Sequence, residues 1–338
     1  MALDALVPND PRVEHKFISF GDIKYYYVLA KPQGKPAATV LLLHGWPDLS
    51  YGWRYQVPYL QSLGLQVIVP DMLGYGQTSA PTALEEYTLK NMAAHMAGII
   101  KAHSDEPIIL GGHDWGGFFV WRVYAYYPEL IRGIFSICVP YMPPSPIKMS
   151  LEEIVKKLPN FTYQLQFASP VGEAIMNKSP ERIRGLMNGF FGGRTPDGKG
   201  PTAINIGIVE ENLENIGQSP IVSAADIDHY VKEHSRHGFN GPFNWYRTRD
   251  LNGDDDVALA KDTEFKIKIP AALVMAEKDK ALPPRLADGQ EKYFEAGLKK
   301  DVIMGADHWL MVERPDEINK FIGDFVKSVL GDDLKAAL

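Results

Sequence analysis

The sequence predicts an α/β fold in which a mostly parallel sheet is flanked by helices and interrupted by a helical insertion. Short apolar runs of strand length recur along the chain and alternate with segments of helical length. A glycine-flanked turn at 111–117 joins one such run to a helix. From residue 140 to 262 the strand-like runs stop, and proline, glycine, asparagine and aromatic residues become frequent. We therefore expect a sheet domain made of 1–139 and 263–338, with 140–262 inserted as a helical cap over the carboxyl edge of the sheet.

The strands of this sheet are recognisable as continuous apolar runs, which suit strands that are covered on both faces. A hairpin comes first, with 16–20 and 23–30 on either side of a Gly-Asp turn. Further strands are predicted at 38–43, 66–70, 107–110, 131–139, 271–276 and 301–304. Helices are predicted at 53–63, 88–102, 118–125, 151–158, 224–234 and 315–330.

The composition limits the classes of function. The 338 residues, 45% of them hydrophobic, are enough for a large core. A net charge of -7 without a run of lysine or arginine argues against nucleic acid and against an anionic membrane surface. The one cysteine, Cys138, suits a reducing compartment, and its apolar neighbours predict a packing role. Because the start of the chain also lacks a signal-peptide pattern, we expect a soluble, cytoplasmic protein; its oligomeric state stays open.

The turn at 111–117 reads Gly-Gly-His-Asp-Trp-Gly-Gly and has the strand-turn-helix pattern of a nucleophile elbow, with Asp114 at the nucleophile position. A serine that attacked a saturated carbon would form an ether, which water cannot cleave, whereas a carboxylate forms an ester that water can hydrolyse. A carboxylate is also ionised at neutral pH without the help of a base. The motif thus predicts covalent catalysis on a saturated carbon that bears a leaving group, and it disfavours a serine-type esterase.

An ester on Asp114 needs a base that activates water, and histidine is the side chain best suited to this role at neutral pH. His308 follows the last predicted strand and is the candidate base. Its orienting acid should follow the preceding strand, where Asp279 is our candidate and Glu277 the alternative. Nucleophile, acid and histidine then occur in the chain order expected for this architecture.

Two backbone amides are candidates for stabilising the oxyanion that forms when water attacks the ester. The amide of Trp115 directly follows the nucleophile, as it does in such elbows. The amide of Trp46 lies in the segment His-Gly-Trp-Pro-Asp at 44–48, which ends the predicted strand 38–43. Pro47 allows a cis peptide here, which would turn the Trp46 amide inward.

Together these motifs resemble those of soluble-type epoxide hydrolases of the α/β-hydrolase fold, and the resemblance extends over nearly the whole chain. It is carried by His-Gly-Trp-Pro at 44–47, Trp-Arg-Tyr-Gln at 53–56, Gly-Tyr-Gly at 74–76, Gly-His-Asp-Trp-Gly-Gly at 112–117 and His-Trp at 308–309. Two segments of the predicted cap are more specific, Phe-Thr-Tyr-Gln-Leu at 161–165 and Gly-Pro-Phe-Asn-Trp-Tyr-Arg at 241–247. They resemble the segments that carry the two ring-opening tyrosines of the family, which correspond to Tyr163 and Tyr246.

The resemblance implies hydrolysis of a hydrophobic epoxide to a vicinal diol, in two steps, through a hydroxyalkyl ester on Asp114. Tyr163 and Tyr246 suit the first step because a phenol, with an unperturbed pKa of ~10, is neutral at pH 7 and can donate to the epoxide oxygen. We expect the partners to be the epoxide and water, with no metal or organic cofactor. The natural epoxide, its preferred enantiomer and the physiological role stay open, detoxification being one of several roles that fit.

Two other functions are compatible with the same fold. A haloalkane or haloacid dehalogenase also uses an aspartate nucleophile, and Trp115 could bind the halide through its indole N–H. The paired tyrosines of the cap favour an epoxide over a halide. A small-ligand receptor is the second alternative, and Asp114 argues against it because the receptors of this fold resemble members with a serine nucleophile.

Overall fold

The computed structural model describes residues 3–262, 266–331 and 334, and in these residues strands and helices alternate as the sequence predicts. The strands are β1 (Glu14–Phe20), β2 (Ile23–Ala30), β3 (Ala38–Leu43), β4 (Leu65–Pro70), β5 (Ile108–His113), β6 (Ile131–Ile137), β7 (Thr202–Ala203), β8 (Gly207–Ile208), β9 (Ala271–Ala276) and β10 (Leu298–Ile303). The helices are α1 (Gln56–Ser62), α2 (Leu89–His103), α3 (Trp115–Tyr126), α4 (Leu151–Lys157), α5 (Tyr163–Ala168), α6 (Pro170–Met176), α7 (Pro180–Phe190), α8 (Glu210–Leu213), α9 (Ala224–His234), α10 (Asn240–Arg247), α11 (Arg249–Asp262), α12 (Leu310–Glu313) and α13 (Pro315–Leu330).

One large sheet organises the fold. Within the described residues it has eight strands in the order β1-β2-β4-β3-β5-β6-β9-β10. The pairs β1–β2 and β2–β4 are antiparallel, and the other neighbours are parallel. Every residue of β4, β5 and β9 is buried, as expected of strands whose two faces are both covered. The prediction of a mostly parallel sheet is therefore confirmed.

The helices that flank the sheet are amphipathic. In α2 the buried apolar residues recur every three or four positions, among them Leu89, Met92, Met96 and Ile100. The same spacing places one apolar face of α13 in the core, and α13 coincides with the helix predicted at 315–330. None of the described helices combines the length and the apolarity that crossing a membrane requires.

The strand that leads into the elbow is longer than predicted. The apolar run suggests an end at residue 110, but β5 continues to His113 because Gly111 and Gly112 pair with Leu42 and Leu43 of β3. Helix α3 then begins at Trp115, three residues earlier than the prediction of 118–125. Strand and helix therefore meet at a single residue, Asp114, and this leaves its side chain at the carboxyl end of β5.

The chain divides into two compact units. The first comprises the described residues of Met1–Met72, Leu89–Pro144 and Thr263–Leu338 and contains the large sheet. The second comprises Leu73–Thr88 and Ser145–Asp262 and consists mainly of helices, with the short antiparallel pair β7–β8. The predicted boundary at residue 263 lies outside the described residues, and the assignment of 140–262 as a cap stays a prediction.

The segment Leu73–Thr88 belongs to the second unit because it packs on helix α10. Trp245 donates its indole N–H to the carbonyl oxygen of Leu73 at 3.0 Å. The backbones of Gly74 and Gly241 approach so closely that a Cβ added to Gly241 would lie 2.5 Å from the Cα of Gly74. Only glycine fits at such an approach.

Candidate active site

The backbone of Asp114 has the sharp turn expected of a nucleophile elbow. Its φ is 53° and its ψ is -126°, a conformation that residues with a side chain rarely adopt. Glycines allow this turn: a Cβ on Gly112 would clash with the carbonyl oxygen of Gly116, and one on Gly116 would clash with that of Leu43. The close packing of α3 against β3 and β5 thus stabilises the strained residue.

The two carboxylate oxygens of Asp114 have different surroundings. Oδ1 accepts a hydrogen bond of 2.7 Å from the backbone amide of Trp46, and Oδ2 lies 3.5 Å from Nε2 of His308. A Cβ added to Gly45 would clash with both Oδ1 of Asp114 and the amide nitrogen of Trp115, so these two atoms border the same small space. The Trp46–Pro47 peptide is cis. One oxygen therefore contacts a backbone amide, and the other faces the imidazole.

The imidazole of His308 is held by Asp279, which is 3% exposed. Nδ1 of His308 lies 2.6 Å from Oδ2 of Asp279. The second carboxylate oxygen, Oδ1, accepts hydrogen bonds from the amides of Ala281 at 2.9 Å and Leu282 at 2.8 Å. Since a carboxylate can only accept, Nδ1 carries a hydrogen in both protonation states of the ring, and Nε2, which is directed at Asp114, is the nitrogen that gains or loses a proton.

The charges of Asp114, Asp279 and His308 shift one another's pKa values. Burial by itself would raise the pKa of Asp114, but hydrogen bonding to His308 and its positive charge outweigh burial and hold that pKa below its usual range. Burial opposes the low pKa of Asp279 in the same way and is outweighed by the charge of His308 and the hydrogen bonds to the carboxylate. For His308 burial favours the neutral form, yet the two carboxylates raise its pKa well above the usual value.

Glu277, the alternative acid, has a different contact. Its Oε2 accepts a hydrogen bond of 2.7 Å from the amide of Gly305, and its side chain is exposed. It stabilises the beginning of the loop that carries His308. The structure thus brings Asp279, and not Glu277, to the imidazole.

Two residues whose sequence pattern did not connect them with the site, His113 and Cys138, contact the main chain of His308. Nε2 of His113 lies 2.9 Å from the carbonyl oxygen of His308, and Sγ of Cys138 lies 3.3 Å from the same atom. Cys138 follows β6 and has a φ of 66°. Burial raises the pKa of its thiol to about 11, so the side chain is protonated at neutral pH. The signal that could have found them is the order of the strands, because His113 ends β5 and Cys138 follows β6 at the same edge of the sheet.

His113, Cys138 and His308 also have the residue types of a metal site. One possible ligand atom from each residue lies within 4.8 Å of the other two. However, His113 and Cys138 are both in hydrogen-bonding distance of the carbonyl oxygen of His308, so that oxygen lies between them. We therefore interpret the cluster as a cradle for a main-chain carbonyl, here called the carbonyl cradle.

The second unit brings the two candidate phenols together. Tyr163 begins α5, Tyr246 lies near the end of α10, and their rings are in edge-to-face contact with centroids 6.4 Å apart. Phe167 contacts both rings, with its centroid 5.2 Å from that of Tyr163 and 5.0 Å from that of Tyr246. Tyr163 is half-buried and Tyr246 is buried. Two tyrosines that lie far apart in the sequence are thus neighbours in the fold.

Comparison with known proteins places the chain in a family. The model of the α/β-hydrolase fold matches residues 38–171. The epoxide hydrolase srdG of Neurospora crassa is 50% identical over 98% of this chain and 100% of its own length. The bifunctional epoxide hydrolase 2 of Rattus norvegicus is 32% identical over 91% of this chain, which spans 56% of that longer protein.

Solved structures agree with these relatives. Epoxide hydrolase A from Mycobacterium thermoresistibile has a TM-score of 0.78 and 30% identity, with 93% of this chain and 98% of that chain covered. Epoxide hydrolase VrEH1 from Vigna radiata, at 24% identity, supports the fold alone; its TM-score is 0.81, with 95% and 99% of the two chains covered. The chain therefore has the α/β-hydrolase fold, as predicted. More narrowly, it belongs to the epoxide hydrolase family, and the dehalogenase and receptor alternatives are not favoured.

The contacts of the two acids after β9 predict different effects on His308. Replacing Asp279 with Asn removes a negative charge beside the imidazole, so the pKa of His308 will fall. Replacing Glu277 with Gln will leave that pKa close to the wild-type value, because Glu277 bonds Gly305 instead. An NMR titration of the imidazole in the three proteins measures this. Equal shifts in the two variants would contradict the assignment of Asp279.

Proposed function

We propose that this protein hydrolyses a hydrophobic epoxide to a vicinal diol through an ester on Asp114. The observation that carries the proposal is the placement of the Asp114 carboxylate, with one oxygen on the amide of Trp46 and the other facing His308. The membership of the epoxide hydrolase family supports it. We also propose a cytoplasmic location, in keeping with a chain that has one cysteine.

In the first step Oδ2 of Asp114 attacks one carbon of the epoxide. The bond between that carbon and the epoxide oxygen breaks, and its electron pair goes to the oxygen. Tyr163 and Tyr246 donate hydrogen bonds to this oxygen, and one of the two phenols gives it a proton. Their contact within the second unit supports a joint role for the two side chains. The product is a hydroxyalkyl ester of Asp114.

In the second step water attacks the carboxyl carbon of the ester. Nε2 of His308 takes a proton from the water, and Asp279 stabilises the imidazolium that forms. The negative charge develops on Oδ1 of Asp114, where we propose that the amides of Trp46 and Trp115 stabilise it. When the tetrahedral intermediate collapses, the diol oxygen leaves with the proton that His308 took from the water. The carboxylic acid that remains on Asp114 then gives its proton to His308, which restores the Asp114 carboxylate and the protonated imidazole of the free protein.

The charge of Asp114 couples the two steps. In the free protein two carboxylates raise the pKa of His308. Formation of the ester removes the charge of one of them, so the pKa of His308 falls in the intermediate. His308 thus gives up its proton, which passes to the phenolate left by the first step, and becomes a neutral base in the state in which a base is needed.

Aromatic side chains support a hydrophobic substrate. Phe167 and Phe243 have ring centroids 5.2 Å apart and continue the cluster formed by Tyr163 and Tyr246. An aromatic cluster that carries two phenol groups suits a ligand with one polar oxygen on an apolar body.

Loss of the base will stop the reaction at the ester. We expect His308→Ala, incubated with styrene oxide, to gain the mass of the whole epoxide, because the second step is blocked while Asp114 remains reactive. The measurement is the intact mass of the protein. The double variant His308→Ala with Asp114→Ala is the control and should gain nothing. An adduct that forms only with a haloalkane would instead indicate a dehalogenase.

The two phenols will affect the first step only. In the His308→Ala background we expect Tyr163→Phe and Tyr246→Phe each to slow ester formation about tenfold, and the pair of changes to slow it roughly 10²–10⁴-fold. Tyr124→Phe is the matched control, because the hydroxyl of Tyr124 is in hydrogen-bonding distance of the amide of Lys268. Quenched-flow mass spectrometry gives the rates. An equal loss in all three single variants would exclude a specific role for the two phenols.

Acidification will slow the second step before the first. Hydrolysis needs neutral His308, so its rate falls as pH drops below the pKa of His308 in the ester. Formation of the ester needs ionised Asp114, whose pKa is below its usual range, and this step persists to lower pH. In single-turnover experiments with wild-type protein the ester should therefore accumulate as pH falls. A hydrolysis rate that stays constant on acidification would argue against His308 as the base.

A further inference from the structure

A buried contact joins the residue before the nucleophile to the backbone of the base. His113 is 0% exposed, and its Nε2 lies 2.9 Å from the carbonyl oxygen of His308. The centroids of the two imidazole rings are 4.6 Å apart, with the rings tilted by 46°. Strand β5 therefore supports the loop of His308 as well as presenting Asp114.

This contact determines which nitrogen of His113 carries the hydrogen. A carbonyl oxygen can only accept, so Nε2 of His113 carries the hydrogen and donates it. Burial and the charge of His308 lower the pKa of His113 to about 4, which keeps the ring neutral at neutral pH. Nδ1 has no hydrogen-bond partner among the described residues. Within the described part of the chain, His113 thus directs its polar contact at the main chain of His308.

The main-chain position of His308 matters because formation of the ester removes the negative charge that faces Nε2 of its ring. The hydrogen bond from Nδ1 to Asp279 is then the remaining ion pair of the imidazole. The amide of His308 bonds Oδ1 of Asp307, which lies in the same loop and moves with it. The carbonyl cradle ties that loop to the ends of β5 and β6. A thiol is a weak donor, so His113 contributes more to this anchoring than Cys138.

We propose that His113, assisted by Cys138, is a positioning residue that holds His308 in place for hydrolysis of the ester. This inference rests on the proposed function, because it concerns the second step of that reaction. The first step depends on Asp114, whose Oδ1 is held by the amide of Trp46 and whose backbone is held by the glycines of the elbow. Loss of the His113 donor should therefore slow hydrolysis far more than ester formation.

A matched pair of amide variants tests the position of the donor. The side-chain nitrogen of Gln reaches the place of Nε2 in histidine, whereas that of Asn reaches the place of Nδ1. His113→Gln therefore keeps a donor for the carbonyl oxygen of His308, and His113→Asn removes it while retaining an amide. Single-turnover reactions of the full-length variants with styrene oxide, followed by intact mass, give the rates of both steps.

We expect His113→Asn to hydrolyse the ester roughly 10- to 100-fold more slowly than wild type, so that the ester accumulates, with ester formation nearly unchanged. His113→Gln should recover most of the hydrolysis rate. The proposal is wrong if His113→Asn hydrolyses the ester at the wild-type rate, if both steps slow equally, or if the Gln and Asn variants behave alike. The absence of any ester in His308→Ala would instead overturn the proposed function.

A second pair keeps the test decisive if His113→Asn does not fold. Cys138→Ser retains a donor beside the carbonyl oxygen of His308, and Cys138→Ala removes it. We expect a smaller slowing of hydrolysis in the Ala variant and none in the Ser variant, with thermal unfolding as the check on folding. The NMR signal of the Nδ1 proton of His308 provides an independent readout. This signal should broaden in the Ala variant and remain sharp in the Ser variant. Identical behaviour of the two variants would contradict the proposal that the carbonyl cradle holds His308 in place.

Discussion

The position of one imidazole between two carboxylates is the interaction on which the site depends. Nδ1 of His308 lies 2.6 Å from Asp279, and Nε2 lies 3.5 Å from Asp114. Removing these groups from water costs free energy, which their opposite charges offset only at short distances and in correct orientations. The hydrogen bonds from Ala281 and Leu282 to Asp279, and from Trp46 to Asp114, provide that orientation. Each member of the charged group is therefore held by backbone amides or by another member.

The parallel sheet explains how three distant segments meet. Asp114 follows β5, Asp279 follows β9 and His308 follows β10, and the carboxyl ends of parallel strands lie at one edge of a sheet. Strand β6 lies between β5 and β9, and the residue that follows it, Cys138, contacts the loop of His308. The order of the strands thus determines which residues surround the base, including those with no part in the chemistry.

Much of this arrangement could be predicted from the sequence, and the rest depends on side-chain directions and main-chain contacts. The glycine pattern predicted the turn at Asp114, and the order of the strands predicted the region of the acid and the base. The choice between Asp279 and Glu277 needed side-chain directions, which a two-residue difference after a strand does not determine. His113 contacts a backbone oxygen that lies 195 residues away, and a main-chain acceptor leaves no pattern in the sequence. Among 16 tyrosines, only the family resemblance selected Tyr163 and Tyr246.

In the proposed mechanism the aspartate nucleophile also controls the protonation of the base, His308. A serine nucleophile is neutral before acylation, and its ester is neutral afterwards, so the histidine beside it experiences little change in charge. Asp114 is negative before the reaction and neutral as an ester, and Oδ2 is the oxygen that faces His308. The charge that favours the protonated imidazole is therefore removed by the same bond that creates the need for a base. Burial keeps His113 neutral, so the ring behind His308 adds no charge that would disturb this change.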